Sequence, residues 1–197
     1  MSTTSKKRAA KIERIHDAAA ALFARNGFYG TRMEDIAAGL DLQKGALYYY
    51  FDSKEALLAS LVESRVGAAL EVMGEIAARD ATATDRLRAG FTGHLTVFQE
   101  HADLYTIFNT ERLHSIAPEM AEKVNELGRE YEGIWANLIR EGIEAGEFKA
   151  AIDVDVTVKA ILGACNTTLV WFRSGGRLTV DEVAAVFADL FLEGLAQ

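Results

Sequence analysis

A helical pattern that is interrupted once, within residues 31–51, constrains the fold of this chain more than any other feature. Apolar residues repeat there at the spacing of one helix face, and they are Met33, Ile36, Ala37 and Leu40. Thr31 and Glu34 have the spacing of a capping box at the start of that helix. Gly39–Leu42 then supplies the small, polar and core residues that a tight turn needs. The pattern predicts two short helices joined by a turn.

The second of these helices combines a core anchor with polar and aromatic side chains. Leu47 and Phe51 are four residues apart, so both should face the core. Tyr48–Tyr50 cannot all face the core at about 100° per residue, and at least one is expected at the surface. An exposed tyrosine near Lys44 suits a helix that lies in a DNA groove. From the residues alone, the alternative is that the tyrosines are half-buried core and Lys44 is a solvated charge.

Charge is distributed unevenly along the chain. The net charge is −8 over all 197 residues, which argues against nucleic-acid binding by bulk charge. Residues 1–51 carry eight basic and five acidic side chains, a net +3, and the remainder therefore carries −11. The basic cluster is Lys6, Lys7, Arg8 and Lys11, with Met1–Ser5 before it as a solubilising tail. The asymmetry predicts a nucleic-acid-contacting end on an acidic body.

Residues from about Lys7 to Ala68 resemble the N-terminal domain of TetR-family transcriptional repressors. The matching motifs are Phe23…Gly27…Thr31, Asp35-Ile36-Ala37, Lys44-Gly45-Ala46-Leu47-Tyr48 and Phe51…Ser53-Lys54-Glu55. The chain departs from the family at Tyr50, where histidine is commonest, and at Leu40-Asp41-Leu42, where a Gly-Val-Ser type of turn is commoner. Both departures lie where they would alter operator preference rather than the fold.

The resemblance implies a helix-turn-helix DNA-binding domain over residues 7–53 and a C-terminal helical regulatory and dimerisation domain over residues 54–197. Thr31 and Arg32 would contact phosphate at a helix N-terminus, and small residues at 45 and 46 would let the backbone approach the duplex. The residues expected to contact a double-stranded operator are Thr31, Arg32, Gln43, Lys44, Gly45, Ala46, Tyr48, Tyr49 and Lys54.

The rest of the chain also reads as helix, so the predicted fold class is all-α. Strand-like alternation of useful length is missing, and the chain has one proline, Pro118, which suits the first turn of a helix. Asp52-Ser53 should cap a long helix that reaches about Ala78, and Thr179 with Glu182 has the spacing of a second capping box. Further helices are expected through residues 12–26, 87–98, 105–112, 118–139, 154–173 and 179–195.

The helix expected over residues 154–173 is apolar on most sides, which requires burial on more than one side. In TetR-like regulators the last two helices pair with those of a second subunit. The resemblance therefore implies a homodimer through residues 154–195, which would present two recognition helices to two half-sites. A larger monomeric core is the alternative.

Aromatic and polar residues of the C-terminal part are candidates for a ligand pocket, although aromatics at helical spacing are also typical of plain core. The candidate ligand-binding residues are Phe98, Tyr105, Phe108, Arg112, Tyr131, Trp135, Asn166, Trp171 and Arg173. TetR-like repressors usually leave DNA when a small molecule enters this domain. The resemblance therefore implies release by a small hydrophobic effector.

A second resemblance concerns the C-terminal half. Residues 142–148, Trp171-Phe172-Arg173, Gly175-Gly176 and Leu178-Thr179 are similar to TetR-type regulators of fatty-acid and sterol-ring catabolism, which respond to acyl-CoA thioesters. Leu162 and Val170 stand where the sterol-ring branch has arginines. An acyl-CoA is the first expectation, and a free hydrophobic acid or aromatic compound is the second.

Other functional classes lack their signatures. The chain has no Gly-rich phosphate loop, no Cys/His metal spacing and no nucleophile elbow, so neither an enzyme nor a metal or cofactor is expected. His94 and His101 lie seven residues apart and could meet a carboxylate or a metal, but a packed histidine is the commoner outcome. No apolar run has the roughly 20 residues that span a membrane. The single Cys165 suits a reducing cytoplasm. A helical interaction protein with a vestigial DNA-binding domain is the third class.

Overall fold

The computed structural model describes residues 3–103, 107 and 118–196. Within those residues it contains eight α-helices and no strand, which confirms the all-α prediction. The helices are α1 Thr3–Asn26, α2 Met33–Ala38, α3 Lys44–Tyr48, α4 Lys54–Ala77, α5 Ala83–Glu100, α6 Pro118–Glu144, α7 Val154–Trp171 and α8 Val180–Leu195. The helix expected over residues 105–112 lies outside the described residues. No helix of the described part is both long and apolar enough to cross a bilayer.

The chain forms two compact units that divide within α4. Residues up to Arg65 and the described residues of Ala102–Val124 belong to the first unit, and Val66–His101 with Asn125–Gln197 forms the second, so α6 also contributes to both units. The division lies twelve residues beyond the boundary expected at residues 53 and 54. Because α4 is one continuous helix, it contributes to both units.

In the first unit, apolar faces of α1, α2, α3 and α4 form a small core. Its fully buried members include Ile15, Phe23, Ile36, Leu47, Leu57, Leu58 and Leu61. The helix α1 ends at Asn26, and Gly27 follows with φ 75°, a left-handed conformation that glycine adopts without strain. The Ser53 hydroxyl accepts a hydrogen bond from the Ala56 N–H, as expected for the start of α4.

The capping box predicted from Thr31 and Glu34 is wrong. The N-cap of α2 is Arg32, whose backbone N–H donates to Asp35 Oδ2 at 2.9 Å. Thr31 is fully buried, and its hydroxyl group lies 2.9 Å from the Gly27 carbonyl and 3.2 Å from the Leu22 carbonyl. The hydroxyl therefore satisfies carbonyl groups at the end of α1 rather than an N–H group of α2.

In the second unit, the helices from the second half of α4 to α8 share one apolar core. Met73, Leu87, Phe91, Trp135 and Ile161 are all fully buried in it. Side-chain caps start its helices: Thr82 accepts from the Asp85 N–H, and Asp153 accepts from the Val156 N–H. The predicted capping box of Thr179 and Glu182 is confirmed at the start of α8.

Local packing explains the residue types of the segment Gly142–Phe148. A Cβ atom at residue 142 would overlap the Phe148 ring, and Gly146 has φ 73°. The Glu147 carboxylate accepts hydrogen bonds from the Ala83 and Thr84 N–H groups at 3.0 and 2.9 Å. These hydrogen bonds lower the pKa of Glu147 and cap the N-terminus of α5.

Candidate nucleic-acid interface and effector region

The helix α3 is anchored by Leu47 and presents tyrosine side chains to the surface. Leu47 is fully buried and Phe51 is 8% exposed, which confirms both as core residues. Tyr49 is 76% exposed and Tyr48 39% exposed, so the prediction of at least one surface tyrosine is also confirmed. The Tyr49 and Tyr50 rings meet edge to face with centroids 5.2 Å apart. Large aromatic groups therefore extend from a short helix with a fixed inner face.

The turn between α2 and α3 sets the direction of α3. Asp41 has φ 55°, a conformation that aspartate tolerates better than most residues. The Leu42 N–H donates to the Ala37 carbonyl at 2.9 Å, which closes the turn. A Cβ atom at Gly45 would meet nothing within 4 Å, so internal packing does not require this glycine. Its small size leaves room for a partner at the outer face of α3.

Lys54 has a structural role that the sequence did not reveal. Its Nζ atom donates to the carbonyls of Phe28 and Thr31 at 2.6 and 2.7 Å, and it lies 4.3 Å from the Phe28 ring centroid. The ammonium group therefore connects the start of α4 to the loop that precedes α2. Two of its three N–H donors are occupied, which leaves one for another partner.

The predicted DNA-contacting residues divide by exposure. Arg32, Gln43, Gly45, Tyr48 and Tyr49 are exposed, and Ala46 and Lys54 are half-buried. Thr31 is buried, its hydroxyl lies against the Gly27 and Leu22 carbonyls, and its backbone N–H donates to the Phe28 carbonyl at 3.3 Å, so its polar groups serve the loop rather than a phosphate. Lys44 begins α3, and its side chain lies outside the described part of the structure.

A polar contact between α1 and α4, also absent from the sequence prediction, fixes these helices in register. Arg65 donates to Glu13 Oε2 at 2.8 Å and to Asp17 Oδ1 at 2.5 Å. Ser64 donates to Glu13 Oε1, and His16 Nε2 lies 3.1 Å from the Ser60 hydroxyl. Burial opposes ionisation of Glu13, but the Arg65 charge and the Ser64 hydrogen bond together lower its pKa.

In the second unit, four side chains from three helices surround one buried histidine. This His94 cluster consists of His94 and Phe98 on α5, Tyr131 and Trp135 on α6, and Asn166 on α7. His94 Nδ1 lies 2.8 Å from the Tyr131 hydroxyl, and Nε2 lies 3.2 Å from Asn166 Oδ1. The Phe98 ring stacks on the imidazole at 4.1 Å, and the Trp135 ring meets it edge-on at 6.0 Å.

The hydrogen bonds define the protonation state of His94. An amide oxygen only accepts, so Nε2 must carry the proton and donate to Asn166. Nδ1 is then the acceptor for the Tyr131 hydroxyl. Burial lowers the pKa of His94 to about 4, and the hydrogen bond to Asn166 opposes that shift. Burial also raises the pKa of Tyr131, so both groups are neutral near neutral pH.

The structure brings four of the predicted ligand-binding residues together, namely Phe98, Tyr131, Trp135 and Asn166. Trp171 is 50% exposed, and Arg173 donates to the carbonyls of Val170 and Phe172, so neither belongs to the His94 cluster. Tyr105, Phe108 and Arg112 lie outside the described residues. The sequence prediction did not assign His94 to this site, although it lies in phase with the core residues Leu87, Phe91 and Leu95.

Two concave regions lie in the second unit, and no residue of the His94 cluster lines either of them. A cavity of about 20 Å³ is bounded by Leu95, Gln99, Thr168, Leu169, Phe172, Val180 and Val183, and it has room for one water molecule. A surface groove of about 290 Å³ between α6 and α7 is lined by charged and small residues, including Arg129, Arg140 and Lys159. Glu132 and Asp155 line the same groove, so its charge is mixed.

The last two helices expose apolar side chains. Val156 and Val170 on α7 are 63% and 64% exposed, and Val186 and Leu190 on α8 are 50% and 64% exposed. Leu169 and Phe187 are half-buried, and Phe187 packs against the unit's own core. The outward apolar surface of α7 and α8 is therefore formed by Val156, Val170, Val186 and Leu190, together with the half-exposed Trp171 at the end of α7.

Comparisons with known proteins cover both units. Residues 15–61 match the family of bacterial regulatory proteins of the tetR type, and residues 80–195 match the tetracyclin repressor-like C-terminal domain. The chain is 30% identical to the transcriptional repressor KstR2 of Rhodococcus jostii over 98% of this chain and 94% of that protein.

Two solved structures extend the likeness to the fold. The ketosteroid transcriptional regulator KstR2 of Mycobacterium tuberculosis has a TM-score of 0.83 and 26% identity over 95% of each chain. The regulator FadR of Bacillus subtilis, in complex with stearoyl-CoA, has a TM-score of 0.76 and 27% identity over 92% of this chain and 98% of that one.

The lowered pKa of His94 predicts a loss of stability in mild acid. The unfolded state, with a histidine pKa of about 6.5, binds more protons than the folded state between about pH 6.5 and about pH 4. The contribution of neutral His94 to the unfolding free energy is therefore fully present above about pH 6.5. About 2 kcal/mol of that free energy should be lost from about pH 7 to about pH 5.

Urea unfolding of the wild type and of His94→Gln at the two pH values measures this contribution. The variant should be less stable at neutral pH and should lose less free energy in acid, because glutamine does not titrate. Equal losses in the two proteins would show that His94 is not the titrating group.

Proposed function

The chain belongs to the TetR family of bacterial regulatory proteins and is a DNA-binding transcriptional regulator, and we propose that it is a repressor that a hydrophobic small molecule releases from its operator. The match of both units to this family carries the proposal. The cytoplasm is the compartment we propose, since a transcriptional regulator acts on DNA there.

We assign operator contact to α3, the residues around it and the N-terminus of α2. Tyr48 and Tyr49 would contact base edges or sugars, and the backbone at Gly45 and Ala46 would approach the duplex closely. Arg32 would contact phosphate, and Gln43, Lys44 and the remaining donor of Lys54 complete the contact set. The exposure of the tyrosines on an anchored helix supports this assignment.

Self-association through α7 and α8 accounts for the exposed apolar residues of the second unit. Val156, Val170, Val186 and Leu190 lie on the two helices that pair between subunits in TetR-like regulators. A homodimer would bury them and relate two recognition helices by a two-fold axis, as two operator half-sites require.

The effector that we propose first is an acyl-CoA. The supporting observations are the stearoyl-CoA in the structure of the Bacillus subtilis relative and the mixture of aromatic and polar groups in the His94 cluster. A free hydrophobic acid or an aromatic compound is the second candidate. The continuous α4 belongs to both units, so we propose that the response is transmitted along it. A tenfold loss of operator occupancy needs about 1.4 kcal/mol of differential ligand affinity.

The operator assignment is tested by Lys44→Ala and Tyr49→Ala. Each should weaken binding to an operator recovered from genomic fragments by about 1–3 kcal/mol, because each removes a contact at the duplex. Arg79→Ala is the matched control, since it removes one exposed positive charge from the second unit, outside α7 and α8, and should leave affinity unchanged. Wild-type affinity in both α3 variants would contradict the assignment.

The dimer is tested by Leu190→Lys and Val170→Lys. Both side chains are exposed in the single chain, so the variants should fold and sediment as monomers at micromolar concentration, whereas the wild type sediments as a dimer. Ala145→Lys, at the exposed end of α6, should remain dimeric. A wild-type monomer at the same concentration would refute the proposal.

The effector is tested by titrating the protein–operator complex with acyl-CoAs of several chain lengths, free CoA and the matching free acids. Long-chain thioesters should release the operator at lower concentrations than either half of the molecule, since they alone combine the apolar chain with the CoA group. Release by a free acid or an aromatic compound, with no effect of any thioester, would replace the first candidate with the second.

A further inference from the structure

The charged groove between α6 and α7 lies entirely within the second unit. It has a volume of about 290 Å³, close to the lower end of the range for small-molecule sites. Its lining residues lie on α6 between positions 129 and 140 and on α7 between positions 155 and 159. None of them belongs to the His94 cluster, so the groove is a separate concave surface.

Small residues form the uncharged part of the groove lining. Ala136 and Val158 are buried, and Gly133 is half-buried. Glycine is among the least favourable residues in a helix interior, and Gly133 lies in the middle of the 27-residue helix α6. A Cβ atom at this position would meet nothing within 4 Å, so internal packing does not require the glycine. Its small size keeps open the space that a bound group would fill.

Three cationic side chains line the groove beside two carboxylates. The cations are Arg129, Arg140 and Lys159, and the carboxylates are Glu132 and Asp155, so the lining has a net charge of +1. Residues 52–197 together carry −11, and the groove is therefore a positive region on an acidic part of the chain. Arg129 and Arg140 are eleven residues apart, about 16 Å along a helix. This spread suits a ligand with more than one anionic group.

The cations of the groove have donors available for a ligand. Arg140 donates to Asn137 Oδ1 at 2.9 Å, which orients the guanidinium group and leaves N–H donors for another partner. Within the described residues, no ion pair joins Arg129, Arg140 or Lys159 to a carboxylate. Guanidinium groups bind phosphate through paired hydrogen bonds, and an ammonium group binds it as a point charge. A phosphorylated ligand therefore complements this lining.

We propose that this groove binds the phosphate groups of the effector through Arg129, Arg140 and Lys159. For an acyl-CoA, these groups are the 3′-phosphate and the pyrophosphate of the nucleotide end. A free fatty acid has a single carboxylate, which cannot reach cations that are spread along the groove. The inference rests on the proposed function and adds the residues that recognise the charged part of the molecule.

Fragments of CoA test the ligand assignment. Calorimetric titration of the full-length wild type compares CoA, 3′-dephospho-CoA, pantetheine and inorganic phosphate at low salt. CoA should bind most tightly, and removal of the 3′-phosphate should weaken binding about tenfold, because a contact between charged groups is lost. Pantetheine has no phosphate and should not compete with CoA. The affinity for CoA should fall as the salt concentration rises.

Variants test which residues hold the phosphates. Arg140→Ala and Lys159→Ala should each weaken CoA binding about tenfold, whereas Arg79→Ala removes an exposed cation outside the groove and should not. Gly133→Leu should fill the groove and abolish CoA binding. Gly128→Leu is the matched control, since this α6 glycine also has open space at its Cβ position but does not line the groove. Thermal unfolding checks that both leucine variants are folded.

The outcomes separate this inference from the proposed function. Wild-type CoA affinity in Gly133→Leu and in both cation variants would overturn the inference and leave an acyl-CoA effector in place. Inorganic phosphate that binds as tightly as CoA would assign the groove to a simple anion instead. Sedimentation of Gly133→Leu as a monomer, beside a dimeric Gly128→Leu, would make the groove a subunit contact and also overturn the inference. If no CoA derivative binds the protein or releases the operator, both the inference and the acyl-CoA proposal are wrong.

Discussion

The position of the DNA-binding helices depends on two cationic side chains of α4. Lys54 connects α4 to the carbonyls of Phe28 and Thr31 just before α2, and Arg65 connects it to Glu13 and Asp17 on α1. The two residues are eleven positions apart, about 16 Å along a helix. Because these contacts lie at both ends of the first half of α4, α1 and the start of α2 must follow any displacement of that half. Apolar contacts alone would let α1 and α2 slide more easily along α4.

The second unit depends instead on a polar group in an apolar interior. The His94 hydrogen bonds to Tyr131 and Asn166 join α5 to α6 and α7, and they specify one arrangement of three helices that apolar packing alone would specify less uniquely. His94, Tyr131 and Asn166 offset the cost of their burial by bonding to one another.

Local patterns predicted the helices well, and contacts between distant segments explain what they missed. The buried Leu47, the exposed Tyr49 and the capping box at Thr179 follow from periodicity and short spacings, and the structure confirms them. The box predicted at Thr31 is wrong because its hydroxyl group found carbonyls at the end of α1, a competition that spacing alone does not show. The contacts of Lys54 and His94 join residues 23 to 72 positions apart, and no local signal marks such partners.

The resemblance to fatty-acid and sterol regulators carries different information in different segments. At residues 142–148 it reflects packing, because Phe148 occupies the space beside Gly142 and Glu147 caps α5. Trp171 and Arg173 lie at the exposed end of α7, away from the His94 cluster. Shared motifs of this kind preserve the scaffold and do not select a ligand. Selection of an effector must then come from other residues, and among the described ones the His94 cluster brings aromatic and polar side chains of three helices together.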